Sequence, residues 1–262
     1  MPLGCRKTSQ PLRIACDDAM LPVATALGRE FRDAFGVPVI PDACSPEQLT
    51  IDELTQYDFM MTDDRKLIEK LTELGVISAT TAFANTTPAL IMRKSDNLAI
   101  LKVDDLAVPR EQPLRLTLAT RNTTLYDVVM PKLKQLGLSS EKDTPLLLIP
   151  YFAEEISSDG TRQHTTPASM LQQLRDKETD IIVSWDFVAA EALSKQKDAD
   201  DFVVVNWPKE TGNTIMIPLC LTKDCREYTN CRVFVNFVKS NHGREILRSR
   251  FITPADELIG TY

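Results

Sequence analysis

The stretch LRIACDDAM, Leu12 to Met20, followed at once by LPVATALGREFRDAF, constrains the fold of this chain more than any other feature. Leu12, Ile14 and Ala15 suit a buried parallel strand, and Ala24, Leu27, Phe31 and Phe35 recur at the spacing of a helix that buries one face. The chain opens on a β-α unit. In open α/β folds ligands bind outside the carboxyl ends of strands, where helices begin, so Asp17 and Asp18 stand where first ligand contacts are made. The same two residues suit the capping and first-turn positions of the helix that follows, and at this level both readings stand.

The alternation continues along the chain. Val37 to Ile40 reads as a short strand closed by Pro41, with a polar helical stretch near Pro46 to Gln56. Tyr57 to Met61 is apolar, Thr62 or Asp63 is placed to cap, Asp63 and Asp64 both suiting a helix start as well as a ligand, and Leu67, Ile68, Leu71 and Leu74 form a stripe that stops at Gly75. Phe83 to Met92 reads as one strand with polar RKSDN after it. Leu114 to Ala119 is the next strand and runs into TRNTTLYDVVMPKLKQLGL, a helix ended by Gly137 and kinked or delayed by Pro131. LLLIPYF reads as a strand, and Thr165 or Thr166 caps a helix with Pro167 in its first turn. DIIVSWDF is a buried strand that empties into Ser184, Trp185 and Asp186. DFVVVNWP leads back toward the first lobe, TIMIPLCL forms a strand, and NCRVFVNFVKSNHGREILRSRF makes one or two closing helices. The segments are then 1–11, a flexible N-terminal stretch; 12–95, the first part of lobe 1; 96–205, lobe 2; and 206–262, the return to lobe 1 with the C-terminal helices.

Composition narrows the function. A chain of 262 residues that is 43% hydrophobic has the material for two cores. A net charge of -7 with Lys and Arg interspersed among acids argues against a nucleic-acid surface, and no apolar run is long enough to span a membrane. Cys220, Cys225 and Cys231 lack the spacing of a zinc ribbon and the two histidines, His164 and His242, lie in other segments, so no metal site is expected. A local Cys225–Cys231 disulfide is the preferred pairing, with Cys16 and Cys44 a second candidate pair at the ends of neighbouring strands. The letters LGC before a polar stretch fit a lipoprotein processing site with Cys5 lipidated, or an ordinary flexible terminus. Nucleophile-elbow, phosphate-loop, dinucleotide and zinc-helix motifs are absent from the sequence. Cys16 at a helix start is the remaining catalytic candidate, and the neighbouring Asp17 opposes its ionisation.

Four passages in order, LRIACDDAM with its helix, YDFMMTDDRKLIEKLTELGVI, RLTLATRNTTLYDVVMPKLKQLGL, and DIIVSWDFVAAEA followed by VFVNFVKSNHGREILRSRFI, resemble the type II periplasmic solute-binding proteins. Within that superfamily of ABC transporter substrate-binding proteins, the resemblance is to the molybdate-binding-like branch. It implies an α/β protein of two lobes, each a mixed, mostly parallel sheet flanked by helices. A small polar solute is then held between lobes that bend near Arg93 to Asp96 and near Asn206 to Pro208, and is passed to an ABC permease. The resemblance implies an extracytoplasmic, monomeric protein that binds rather than catalyses, needs no cofactor, and meets a membrane only through a lipid anchor. A stand-alone ligand-sensing or regulatory domain of the same fold is the alternative, weakened by the lack of a helix-turn-helix.

The chain departs from the oxyanion pattern at its first station. Where a small residue and a serine are expected, Cys16, Asp17 and Asp18 stand, and a carboxylate about 4 Å from a bound dianion repels it by about 1 kcal/mol per charge pair in water. The other strand-end stations offer Ser45; Asp63 with Asp64; Arg121 with Asn122, Thr123 and Thr124; and Ser184, Trp185 and Asp186. Carboxylates outnumber cations there. An amine, an amino-acid-like zwitterion with its carboxylate on Arg121, or a metal chelate fits this set, with Trp185 as a flat wall; Arg121 equally suits a loop cation or a partner for Asp127, and Trp185 equally suits core or interlobe packing.

Overall fold

The computed structural model describes residues 10–44, 49–118, 124–138, 146–150, 167–208, 213–225 and 228–255. The chain divides into two compact units, the first built from residues up to Ala84 together with Ile217–Arg250, the second from Asn85–Met216. The first unit begins with β1 (Leu12–Cys16), α1 (Leu21–Phe35), β2 (Val39–Ala43), α2 (Ile51–Leu54), β3 (Phe59–Met61), α3 (Arg65–Glu73) and β4 (Ile77–Thr86). The second follows with β5 (Pro88–Arg93), β6 (Leu114–Leu118), α4 (Thr124–Gln135), β7 (Leu146–Pro150), α5 (Pro167–Arg175), β8 (Ile181–Trp185), α6 (Asp186–Ser194) and β9 (Phe202–Asn206). Then come β10 (Ile215–Thr222), α7 (Tyr228–Lys239), α8 (Asn241–Ser249) and the short β11 (Thr253–Pro254).

The first sheet has the order β11-β4-β10-β3-β1-β2, with β1 parallel to both of its neighbours. Placing β1 between β2 and β3 explains its apolar composition: Leu12, Ile14, Ala15 and Cys16 are all fully buried. Helix α1 covers this sheet with Val23, Ala24, Leu27 and Phe31, and Gly28 lets its backbone approach Val39, whose Cβ lies 3.0 Å from where a Cβ at Gly28 would stand. Phe31 meets Phe234 edge-on at 5.1 Å, so α7 packs onto α1 through an aromatic pair. Phe35, on the same predicted stripe, is half exposed because α1 ends there, with Gly36 in the left-handed region at φ 72.

Several expectations shift in register. The strand predicted to stop at Pro41 instead passes through it, because β2 is an edge strand where a missing N–H breaks no ladder on the open side. Within the described part of the helical stretch expected near residues 46–56, the helix is α2, started by a capping box between Thr50 and Glu53. Asp64 rather than Thr62 or Asp63 caps α3, its Oδ1 accepting the Leu67 amide at 3.0 Å. Of the α3 stripe Leu71 is buried, while Leu74 falls at the C-cap and is exposed. The single strand expected from Phe83 to Met92 is two: β4 ends at Thr86, and Pro88 opens β5, which pairs antiparallel with β8 and β9 in the second sheet. The two sheets therefore exchange the chain at Thr87, earlier than the polar RKSDN stretch suggests.

The second sheet has the order β7-β6-β8-β5-β9, with β6 parallel to β7 and β8. Pro131 neither delays nor ends α4, which runs through it; the helix gives up one backbone bond at that position. The closing helical stretch splits in two at Ser240, whose hydroxyl accepts the Gly243 amide at 3.2 Å. At the far end of the second sheet the buried Arg93 donates to the carbonyls of Leu174 and Thr179 and pairs with Asp96, while Arg115 grips Asp180 at 2.7 Å. No helix among the described residues is long and apolar enough to cross a membrane.

Candidate functional site

In the first unit the parallel strands β1, β2 and β3 end on the same side of the sheet, which brings Cys16, Asp17, Asp18, Cys44 and Asp63 to one edge. The turn after β1 is tied to its neighbour by the Asp17 amide, which donates to Met61 O at 3.3 Å. Helix α1 starts from the Asp17 carbonyl, which accepts from Met20 N at 2.8 Å and Leu21 N at 3.1 Å. Its N-cap is Met20, which has no side-chain cap, and its first turn holds no acidic residue. Asp17 and Asp18 thus stand upstream of the capping position. After β3 the acidic pair divides its work, since Asp64 caps α3 and its own amide donates to Thr62 Oγ1 at 3.1 Å.

Cys16 and Cys44 are free thiols, so the second predicted pairing is not formed. The ladder accounts for this: Cys16 pairs with Ala43, leaving Cys44 one residue beyond, and the Cys16 thiol turns to Asp42 O at 3.6 Å. Burial pushes the Cys16 thiol up to about 12, with Asp17, Cys44, Asp18 and Asp42 adding to the effect. Burial likewise raises Cys44. Neither thiol is an activated nucleophile, and the catalytic alternative for Cys16 loses its basis. The other predicted pairing is present, with a disulfide joining Cys225 and Cys231.

In the second unit β8 ends at Trp185 opposite Pro88, the first residue of β5. Ser184 and Trp185 are buried, and α6 begins at Asp186. The Asp186 carboxylate accepts from the Thr86 hydroxyl at 2.7 Å, the Thr87 hydroxyl at 3.0 Å and the Phe187 amide at 2.8 Å. Its backbone amide donates to Thr87 O at 2.8 Å. Thr86 and Thr87, which sequence reasoning placed inside a strand, are the residues that orient Asp186; the signal for them was the Thr-Thr-Pro step, since proline is a poor interior residue in a strand. Thr124, the first residue of α4, is buried. Cys5, Ser45, Arg121 and Thr123 lie outside the described residues.

The chemistry of the first edge is anionic. Asp42 is committed to Arg13, whose Nη2 approaches its Oδ2 at 2.7 Å, and that bond raises the arginine above its ordinary value. Asp64 is committed to its helix. Asp17, Asp18 and Asp63 also stand at these strand tips, while the N-cap positions of α1 and α3 are Met20 and Asp64. Among the described residues these carboxylates do not converge into a set of three metal-ligand atoms.

A search of curated protein sequences returns no match. Solved structures share the fold at low identity. Iron-bound HitA from Pseudomonas aeruginosa is 13% identical with a TM-score of 0.68, over 94% of this chain and 86% of that one. The sulfate-binding protein SubI from Mycobacterium tuberculosis is 13% identical at 0.67, over 95% and 88%. The periplasmic molybdate-binding protein of Azotobacter vinelandii is 13% identical at 0.61, over 92% and 98%. These likenesses establish a type II periplasmic-binding fold. Residues 12–251 match the model of one family, the bacterial extracellular solute-binding proteins, whose work is binding rather than catalysis, and this chain belongs to that family.

Proposed function

We propose that this protein captures a small polar solute with a cationic or amine-bearing part, outside the bacterial cytoplasm, and hands it to an ABC permease. One observation carries the solute class: the strand tips of the first unit gather Asp17, Asp18 and Asp63 on one side of the sheet, next to the starts of α1 and α3. A dianion such as molybdate or sulfate would meet carboxylates where an oxyanion site calls for bare N–H groups and hydroxyls. The cation's counterpart, a carboxylate on the same solute, is assigned to Arg121, with Thr123, Thr124 and Ser45 as hydrogen-bond donors. Ser184, Trp185 and Asp186 contribute the second unit's share, Trp185 as a wall and Asp186 through its hold on Thr86 and Thr87.

A thermal-shift screen over oxyanions, amino acids, polyamines and divalent metals tests the reading, since a ligand at a hundred times its Kd stabilises the folded state by about 2.7 kcal/mol. Amines or zwitterions are expected to raise the melting temperature, and Asp17→Ala and Asp63→Ala to weaken their binding in calorimetry. Stabilisation by molybdate or sulfate alone would overturn the solute class while leaving the family intact.

A further inference from the structure

We infer that Asp58, Cys225 and Cys231 form a redox-gated site for a thiophilic divalent cation of the zinc class, closed while the two cysteines are joined and opened when a dithiol reductant separates them. The three residues meet at the amino end of β3: Asp58 immediately precedes that strand, Cys225 follows β10, and Cys231 lies in the first turn of α7. Their ligand atoms, one carboxylate oxygen and two sulfurs, all lie within 4.8 Å of one another. They are the one such group among the described residues. Asp58 and Asp63 are separated by five residues along β3 and its flanks, about 16 Å of extended chain, so this corner is remote from the solute-facing carboxylates.

The carboxylate is what makes the corner unusual. Asp58 is only 5% exposed, and Cys231 is fully buried. The Arg13 amide donates to Asp58 Oδ2 at 2.8 Å, which fixes the orientation of the group as a supporting hydrogen bond fixes a ligating carboxylate. A disulfide has no hydrogen to donate to that carboxylate. In the reduced state the two thiols beside this acid could ionise only against its repulsion, and a divalent cation removes that conflict: three negative ligands and a 2+ ion leave the same single negative charge that the acid carries beside two neutral thiols.

The backbone also fits. The Cα atoms of Cys225 and Cys231 are 7.2 Å apart, wider than the range of about 4.4 to 6.8 Å common for disulfides. Zinc–sulfur bonds of about 2.3 Å in a tetrahedron place two sulfurs about 3.7 Å apart, so χ1 rotation suffices to pass from a bonded pair to two metal ligands. Water fills the fourth position. The conversion balances: the reductant's two thiols give up two electrons and two protons to the disulfide and close into a disulfide of their own. The two cysteine thiols then release two protons to solvent as the cation binds. Thiolate donors select zinc-like ions over magnesium or calcium.

The probe is cobalt(II), whose thiolate bonds produce a charge-transfer absorption. Protein reduced with a dithiol and then desalted under argon is expected to bind one cobalt ion with that absorption, to lose it on adding zinc, and to show none of it before reduction. Asp58→Asn is expected to weaken binding at least tenfold, and Cys225→Ser to abolish the band. No band in the reduced protein overturns the site. So does a band that survives in a Cys225→Ser/Cys231→Ser double variant, because Cys5, Cys16, Cys44 or Cys220 would then be the ligands, and so does unchanged affinity in Asp58→Asn. If circular dichroism shows that buried Asp58→Asn fails to fold, the half-buried Cys225→Ser carries the test by itself.

Discussion

The Thr86 hydroxyl donates to Asp186 Oδ1 at 2.7 Å, and its neighbour Thr87 donates to Oδ2 at 3.0 Å, so one carboxylate holds both residues that lead into β5. The same carboxylate accepts the Phe187 amide, which makes it the anchor of the α6 start. Hydrogen bonds to a charged group each contribute about 1.5 to 3 kcal/mol. Asp186→Ala is therefore expected to lower unfolding stability by about 2 to 4 kcal/mol in a urea titration, with Asp186→Asn recovering part of it. A loss under about 0.5 kcal/mol would show that the threonines find other partners.

Asp63 and Asp64 are adjacent in sequence, and Asp64 is the one that caps α3. Asp64 supplies the α3 cap, so Asp64→Ala is expected to cost about 1 kcal/mol of stability with solute affinity unchanged. Asp63→Ala and Asp17→Ala are expected to weaken binding of an amine solute by about tenfold or more, equivalent to 1.4 kcal/mol each. Calorimetry beside chemical denaturation separates the two effects. Equal affinity losses in Asp63→Ala and Asp64→Ala would undo the division of labour.

The β-α alternation and the identity of the buried strands were legible because apolar runs such as Leu12–Cys16 and Ile181–Trp185 encode burial directly. Strand ends were less legible. Thr86, Thr87 and Pro88 read as the middle of one strand because local apolar pattern carries no information on which sheet a residue joins, and only the pairing of Pro88 with Trp185 reveals the exchange. The α3 cap was legible as a set rather than a residue: Thr62, Asp63 and Asp64 all have the right chemistry, and the turn geometry selects Asp64. The Cys16–Cys44 pairing failed on register, a property of two strands together. At the candidate site, Asp17 and Asp18 were visible as an acidic break in an apolar run, whereas the Thr86/Thr87 lock on Asp186 joins residues about a hundred positions apart.

Cys16 is expected to be inert in the folded protein. Its thiol is fully buried and pushed up to about 12, first by burial and then by Asp17, so very little thiolate exists at neutral pH. Iodoacetamide at pH 8 should label Cys16 only after unfolding, as read by peptide mass spectrometry. Rapid labelling of Cys16 in the native protein would reverse the assignment and revive it as a nucleophile.

Acid stability should report on Asp180. Burial pushes its carboxyl up, but the Arg115 side chain at 2.7 Å and the Arg115 amide at 2.8 Å outweigh that, and the folded value lies below the ordinary 3.8. Above the unfolded value both states are ionised and the stabilisation is fully present. As the pH falls below about 4 the unfolded chain takes up its proton first, and the stabilisation is lost on the way down through the folded value. Asp180→Asn should therefore be less stable than the parent above about pH 5, with the difference shrinking below about pH 4. Parallel pH profiles for the two proteins would remove Asp180 from the acid response.

Gly243 sits where α8 turns away from α7, and a Cβ there would stand 2.4 Å from the carbonyl oxygens of both Phe237 and Val238. Those atoms are backbone, so no side-chain rotation relieves the clash; the two helices would have to separate. Separation pulls on the same α7 that places Phe234 and Phe237 against Phe31, at 5.1 Å and 5.5 Å. Overpacking of this kind costs about 1 to 3 kcal/mol, and Gly243→Ala is expected to destabilise the protein by that amount in chemical denaturation. Gly137→Ala is the useful contrast. It has a φ of 75 but open space around the added methyl, so its cost comes from backbone conformation alone, about 1 kcal/mol. If Gly243→Ala proved the milder of the two, the close approach of the two helices would not be what fixes glycine at that position.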